Sequence, residues 1–279
     1  MAIKKSSVAV SDGTRINVLE SGSGKPLVLV PGWSQAAEQF KHQLEGLSGR
    51  YRVLALDMRG HGDSDKPAFG YRIQRLAKDV YDVLAALDVK DATILGHSMG
   101  CSVLWCYWDL FGSARLSKFV FCDEPAFLTS NPGWSAQEAE QAGAIFTPET
   151  VTATANALAG PEGVATTNGF IGGMVTKAMA PATLQWMIDC NLKFPRAHAA
   201  TLLYNHCHQD WRDVMSRIPL PTLCIGGRVS LVPWKSVAWI ASQIKGARLE
   251  IFEEAEGGQH FMFVENPAKF NALLTEFIG

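Results

Sequence analysis

The chain has little net charge and no cysteine pattern that would hold a metal or build a disulfide framework. Its 25 Lys and Arg residues nearly balance 27 Asp and Glu residues, which leaves a net charge of −2 at pH 7. This balance offers no basic stripe for nucleic acid and no polybasic anchor for a membrane. The six cysteines form no C-x-x-C pair. We therefore expect a cytoplasmic protein with reduced thiols whose partner is a small molecule.

Long hydrophobic runs are also absent. Near the amino terminus the only apolar run is Val8-Ala9-Val10, too short for the core of a signal peptide, and no run approaches the length of a membrane span. The tripeptide His206-Cys207-His208 lacks the spacing of metal ligands. The sequence thus predicts no targeting segment, no membrane anchor and no metal site.

Strand-like runs alternate with helical patterns along the chain. With 279 residues, 47% of them hydrophobic, the chain is long enough to bury a large core. The predicted strands are at residues 6–10, 15–20, 26–30, 52–56, 92–96, 117–122, 221–226 and 247–252. This alternation predicts an α/β fold with a mostly parallel eight-stranded sheet flanked by helices and preceded by an antiparallel hairpin.

The stretch between the sixth and seventh predicted strands contains no convincing strand, and it is too long for a loop. Helices are predicted there at 135–146, 147–158, 181–192 and 197–211, with Ser135, Thr147 and Pro181 as start signals. We expect residues 124–213 to form a lid over the strand ends, with the core at 1–123 and 214–279. The side chains predicted to line a substrate pocket are Trp33, Trp134, Phe146, Met174 and Trp186, although many apolar lid residues would only attach the lid to the sheet.

A Gly-x-Ser-x-Gly pentapeptide, Gly96-His97-Ser98-Met99-Gly100, directly follows the fifth predicted strand and precedes an apolar helical pattern. This order is typical of a nucleophile elbow, a tight turn between strand and helix that exposes its serine. The alternative is a serine that merely caps a glycine-rich helix. A nucleophilic serine hydroxyl needs a base, and the base needs a third group to orient it.

His260 is the predicted base, because it follows the last strand in a polar, glycine-rich loop, whereas the other histidines lie on helical patterns, in a turn or beside Ser98. No carboxylate occurs in residues 225–248, so the loop after the seventh strand cannot supply the acid. The acid is therefore assigned to Asp123 at the end of the sixth strand. Asp123 is preferred to Glu124, which precedes a proline that turns the chain away; a helix N-cap is the alternative for both.

Stabilising an oxyanion requires two preorganised donors. The predicted donors are the backbone N–H groups of Met99, at the start of the elbow helix, and Trp33, in the loop after the third strand. The indole of Trp33 would wall the pocket or pack against a helix.

Together these motifs resemble the α/β-hydrolase fold family over the whole chain. The resemblance is carried by four segments: Pro31-Gly32-Trp33, the turn at 57–64, the pentapeptide at 96–100 and Gly258-Gln259-His260-Phe261. It implies a serine hydrolase without metal or organic cofactor. Segments 96–112 and 257–267 are similar to members called esterases or non-haem chloroperoxidases. Ser98 stands where the family's epoxide hydrolases and dehalogenases carry an aspartate.

The acid at Asp123 and the Pro31-Gly32 pair are similar to the family's cofactor-free dioxygenases of 3-hydroxy-4-quinolones, which use a His and Asp pair as base. Those enzymes have a histidine directly after the serine, where this chain has Met99. We expect hydrolysis of a carboxylic ester or lactone of a fairly apolar molecule through Ser98, His260 and Asp123. Cofactor-free oxygenation and a ligand receptor that kept the triad are the alternatives, and a homodimer is left open.

Overall fold

A single eight-stranded sheet forms the centre of the computed structural model, which describes residues 2–279. The strands are β1 Lys4–Ala9, β2 Arg15–Ser21, β3 Lys25–Val30, β4 Tyr51–Leu56, β5 Ala92–His97, β6 Leu116–Cys122, β7 Thr222–Gly227 and β8 Arg248–Phe252. Their order in the sheet is β1-β2-β4-β3-β5-β6-β7-β8. The pairs β1–β2 and β2–β4 are antiparallel and the others are parallel. The predicted mostly parallel sheet with an antiparallel amino-terminal hairpin is confirmed.

Helices cover both faces of this sheet. They are α1 Lys41–Gly46, α2 Ile73–Ala86, α3 Met99–Phe111, α4 Ala136–Ala142, α5 Pro148–Ala159, α6 Gly163–Gly172, α7 Pro181–Leu192, α8 Arg196–Cys207, α9 Trp234–Gln243, α10 Met262–Glu265 and α11 Pro267–Ile278. Successive side chains of a strand point to opposite faces. Accordingly, Val28 and Val30 of β3 pack in one hydrophobic core, and Leu27 and Leu29 pack in the other.

The segment between β6 and β7 is helical and contains α4 to α8. Within it α5 packs against both α8 and α6, while α8 also contacts α2 and α4 contacts α9. The helix at Pro181–Leu192 has the predicted bounds, and the Ser135 and Thr147 side chains cap α4 and α5 as expected. The division into a core and a separate lid at 124–213 stays a prediction.

Three helices of this segment differ from the prediction. The helix predicted at 197–211 begins at Arg196 and ends at Cys207. The helix predicted at 135–146 ends at Ala142, because Gly143 adopts a left-handed conformation with φ 70° and caps it. No helix was predicted at α6, because its glycines are weak helix formers. Within residues 2–279, no helix has the length and apolar composition needed to cross a bilayer.

Candidate active site

Ser98 occupies a strained turn between β5 and α3. Its backbone has φ 53° and ψ −130°, a conformation that a residue with a side chain rarely adopts. The neighbouring glycines make the turn possible: a Cβ atom on Gly96 would lie 2.5 Å from the carbonyl carbon of Gly100, and one on Gly100 would lie 2.4 Å from the carbonyl oxygen of Val30. Strain of this kind is stored where a structure must present a particular side chain.

Asp123 and His260 form a buried pair beside this turn. Asp123 directly follows β6 with φ 58°, and its Oδ2 lies 2.6 Å from Nδ1 of His260. The other carboxylate oxygen, Oδ1, accepts a hydrogen bond from the backbone N–H of Gly227 at 3.1 Å. Since Nδ1 faces the carboxylate, Nε2 is the ring nitrogen left to act on another group.

The side chains of Ser98 and His260 line one cavity. The Ser98 hydroxyl makes no hydrogen bond within residues 2–279, and catalytic contacts of this kind often tighten only when substrate binds. The cavity and its opening to solvent hold about 480 Å³ of space free of protein atoms. Its apolar wall consists of Trp33, Leu128, Ile145, Phe146, Phe170, Ile171, Met174, Leu203, Leu231, Val232 and Phe261.

Three of the five predicted pocket residues, Trp33, Phe146 and Met174, line the cavity, and two lie elsewhere. The ring of Trp134 packs edge-on against Phe127 and under the guanidinium of Arg212. The indole N–H of Trp186 donates to Oε1 of Glu38 at 3.1 Å. The ammonium group of Lys41 lies 3.9 Å from the centroid of the Trp186 ring. Both tryptophan rings face a cationic side chain, and Trp186 also uses its indole N–H, which residue type alone does not reveal.

The two predicted oxyanion donors lie on either side of Ser98. Met99 is the first residue of α3, where the amide has no acceptor within the helix and the helix dipole favours negative charge. Trp33 follows Gly32, on which a Cβ atom would lie 2.8 Å from the Cβ atom of Ser98. The indole of Trp33 both lines the cavity and donates to the carbonyl oxygen of Ala199 in α8 at 2.8 Å. That these amides bind an oxyanion stays a prediction.

His61 supports the loop that carries Trp33. Its Nδ1 donates to the carbonyl oxygen of Arg59 at 2.9 Å, which leaves Nε2 to accept the backbone N–H of Ser34 at 3.0 Å. Burial lowers the pKa of His61 to about 3, so the ring is neutral at physiological pH. The turn around His61 was predicted to have a structural role, but the sequence did not predict its partner.

His97 connects the same loop to the base. Its Nδ1 lies 3.0 Å from Oε1 of Gln35, and its Nε2 lies 2.8 Å from the backbone carbonyl oxygen of His260. The same Gln35 oxygen accepts the backbone N–H of Gly32 at 2.7 Å. Burial, followed by the charge of His260, lowers the pKa of His97 well below its usual range. His97 thus positions its neighbours and is not a competing base.

A second buried acid and histidine face the cavity from the other side of Asp123. Oε1 of Glu124 lies 2.6 Å from Nε2 of His206, and the Ser102 hydroxyl donates to the same oxygen at 3.2 Å. Glu124 is thereby engaged away from His260. Of the two carboxylates considered for the acid, only Asp123 contacts the predicted base.

Known proteins share the fold of this chain. Residues 25–162 match the family model described as alpha/beta hydrolase fold. A non-heme chloroperoxidase of Kitasatospora aureofaciens is 28% identical, over 96% of this chain and 97% of that protein. An esterase of Exiguobacterium antarcticum superposes with a TM-score of 0.90 at 26% identity, over 99% of both chains.

An enzyme described as degrading N-acyl homoserine lactones superposes with a TM-score of 0.81 at 26% identity, over 98% of this chain and 100% of that chain. The sheet order, the serine elbow after β5 and these similarities agree with one another. The chain has the α/β-hydrolase fold.

Proposed function

We propose that the protein hydrolyses a carboxylic ester or lactone of a fairly apolar small molecule through an acyl-enzyme on Ser98. One observation carries the proposal: Ser98, on its strained elbow, shares a cavity with His260, whose Nδ1 is fixed by Asp123. The similarity to an esterase and to a lactone-degrading enzyme supports this reaction class.

In the proposed reaction, Ser98 attacks the substrate carbonyl carbon while Nε2 of His260 accepts the hydroxyl proton. The same proton is returned to the leaving alcohol, and a water molecule then releases the acid by the reverse sequence. Asp123 stabilises the imidazolium, and the amides of Met99 and Trp33 bind the oxyanion. No organic cofactor takes part in this scheme.

The wall of the cavity supports a substrate that is mostly apolar. Aromatic and aliphatic side chains supply most of it, which is usual for small-molecule sites. All six cysteines are free and buried, which supports the cytoplasmic location expected from the sequence. That the partner is a small molecule stays a prediction, and whether the protein forms a homodimer stays open.

The test is the Ser98→Ala variant, assayed on short p-nitrophenyl esters and on lactones. We expect kcat/KM to fall by about three orders of magnitude or more, since only oxyanion stabilisation and binding are left. A serine-directed organophosphonate should add one equivalent of mass to the wild type and none to the variant.

Oxygen uptake on a 3-hydroxy-4-quinolone, followed in parallel, separates the alternatives. If Ser98→Ala keeps its turnover on the best substrate and that turnover consumes oxygen, the protein is a cofactor-free oxygenase in which His260 and Asp123 act as the base. Tight ligand binding without multiple turnovers would instead identify a receptor.

A further inference from the structure

The second acid and histidine pair in the cavity has no part in the proposed triad. Glu124 and His206 line the cavity together with Ser98 and His260, yet both side chains are almost fully buried, with 2% and 3% exposed. Polar groups are costly to bury, and an apolar pair of similar size would pack at least as well. A pair kept on an otherwise apolar cavity wall is therefore a candidate for a binding role.

Each member of this pair has one polar atom left over. Nδ1 of His206 is buried and has no hydrogen-bond partner within residues 2–279. Over the same residues Oε2 of Glu124 accepts no hydrogen bond, because both of its contacts, with Ser102 and His206, are made by Oε1. Nδ1 of His206 and Oε2 of Glu124 are therefore free to hydrogen-bond with a polar group of a ligand.

The pair lies on the same cavity as the nucleophile and next to the acid of the proposed triad. Glu124 directly follows Asp123, and Ser102, which donates to Glu124, lies in the first turn of α3, the helix that Ser98 precedes. A substrate whose carbonyl reaches Ser98 therefore has other groups within the cavity that His206 also lines.

We propose that Glu124 and His206 bind a hydroxyl group of the substrate, so that the preferred esters or lactones carry a hydroxyl several bonds from the scissile carbonyl. This inference rests on the proposed hydrolase function. If His206 is neutral and donates Nε2–H to Glu124, both leftover atoms are acceptors and require a donor. If His206 is protonated, Nδ1–H donates while Oε2 accepts. A hydroxyl suits either state, because it can donate and accept.

The experiment compares three pairs of p-nitrophenyl esters that differ only by a hydroxyl: 3-hydroxybutyrate with butyrate, and 3- and 4-hydroxyphenylacetate with phenylacetate. A site built to bind a hydroxyl rejects the analogue that lacks it, because its own polar groups are then left unpaired. For at least one pair we expect the wild type to favour the hydroxylated ester by about tenfold or more in kcat/KM.

Two variants test whether the pair produces this ratio. Glu124→Gln removes the charge and keeps the shape, and Glu124→Leu with His206→Leu replaces both buried partners, which protein cores tolerate better than loss of one. In both variants the ratio of kcat/KM for the hydroxylated ester to kcat/KM for the ester without the hydroxyl should fall to about threefold or less. Glu38→Gln is the control, because Glu38 also joins the core to α7, through Trp186, but does not line the cavity; it should keep the wild-type ratio.

The outcomes separate this inference from the proposed function. Equal loss of rate on both members of every pair, or a wild type with no hydroxyl preference, would mean that the pair only ties α8 to the end of β6. Organophosphonate labelling of Ser98 would still identify a hydrolase in that case. Failure of labelling would overturn the proposed function itself.

Discussion

Ser230 stands in the loop after β7 and holds the acid that β6 provides. Its hydroxyl donates to Oδ2 of Asp123 at 2.5 Å, the same oxygen that faces His260, and the backbone N–H of Gly227 donates to Oδ1. Hydrogen bonds to a carboxylate are strong and directional. The end of β7 and the loop after it have no carboxylate, but they supply the two hydrogen-bond donors that hold the Asp123 carboxylate in place.

Moving the acid between these two positions is a direct test of its role. Asp123→Asn should lower kcat by about four orders of magnitude, because the imidazole is then held in the wrong tautomer. Adding Ser230→Asp to that variant should recover about tenfold or more of the loss, since side chain 230 already reaches the atom that faces His260. The measurement is kcat on the best p-nitrophenyl ester.

Ser230→Ala serves as the control for disturbing the loop, and it should cost about tenfold or less because Gly227 still donates to Asp123. Near-normal activity of Asp123→Asn would show that another group orients His260.

Sequence order and residue type were enough to predict that Ser98, His260 and Asp123 lie close together, because each follows a strand that ends at the same edge of the sheet. They could not predict the contacts of Ser230 or His206, which lie 107 and 82 residues from the carboxylates they contact and belong to no motif. Contacts of that kind depend on the packing of whole elements, which local sequence patterns do not reveal.

At the scale of elements, aromatic side chains continue the cavity wall from the loop after β3 into the helical segment. The ring of Trp33 meets Phe170 of α6 edge-on at 6.0 Å between centroids. Phe170 in turn stacks on Phe146, which precedes α5, with an interplanar angle of 8° and a centroid distance of 6.1 Å. This arrangement makes the loop before α5 and the helix α6 the elements that wall the cavity beside Trp33.

Shortening these side chains should change acyl selectivity. Phe146→Ala and Phe170→Ala should shift the ratio of kcat/KM between octanoate and acetate p-nitrophenyl esters by about tenfold toward octanoate, because each opens space beside Ser98. Trp186→Ala is the matched control: it lies in the same segment but away from the cavity, where its indole bonds to Glu38. It should lower the melting temperature and leave the ratio unchanged. If Phe146→Ala and Phe170→Ala instead lower the melting temperature and leave the ratio unchanged, the aromatic residues only attach the helices to the sheet.

The elements that the sequence predicted best are those with a single dominant signal. The strand β3 is apolar at successive positions because both of its faces are buried, and α5 begins where Thr147 caps it. The helix α6 had no such signal: it contains three glycines and exposes much of its length. Its helical state depends on packing against α5 and α7.

At the scale of the whole molecule, buried neutral histidines make stability depend on pH. The pKa of His61 is lowered to about 3 by burial, whereas an unfolded histidine titrates near 6.5. Below about pH 6.5 the unfolded chain therefore takes up a proton that the native state does not bind, and the free energy of unfolding falls as the pH falls. Above that pH the group has no effect.

From pH 7.5 to pH 5 this histidine should lower the free energy of unfolding by about 2 kcal/mol. The melting temperature of the wild type should drop over this range, and that of His61→Gln, although lower at pH 7.5, should drop less. His208→Gln provides the control, because His208 is exposed, and it should follow the wild type. Parallel curves for wild type and His61→Gln would rule out the contribution of His61.

The adjacency of β6 and β7 also has an evolutionary consequence. Because these parallel neighbours end at one edge of the sheet, Asp123, which follows β6, and Ser230, which lies in the loop after β7, are hydrogen-bonded to each other through the carboxylate oxygen that faces Nδ1 of His260. A lineage can then relocate its acid in two single substitutions, gaining a second carboxylate at one strand end before losing the first at the other. At every step along that route a carboxylate lies beside the histidine. The position of the acid is for this reason a poor marker of descent, whereas the elbow, which depends on close packing of Gly100 against Val30, has no such alternative location.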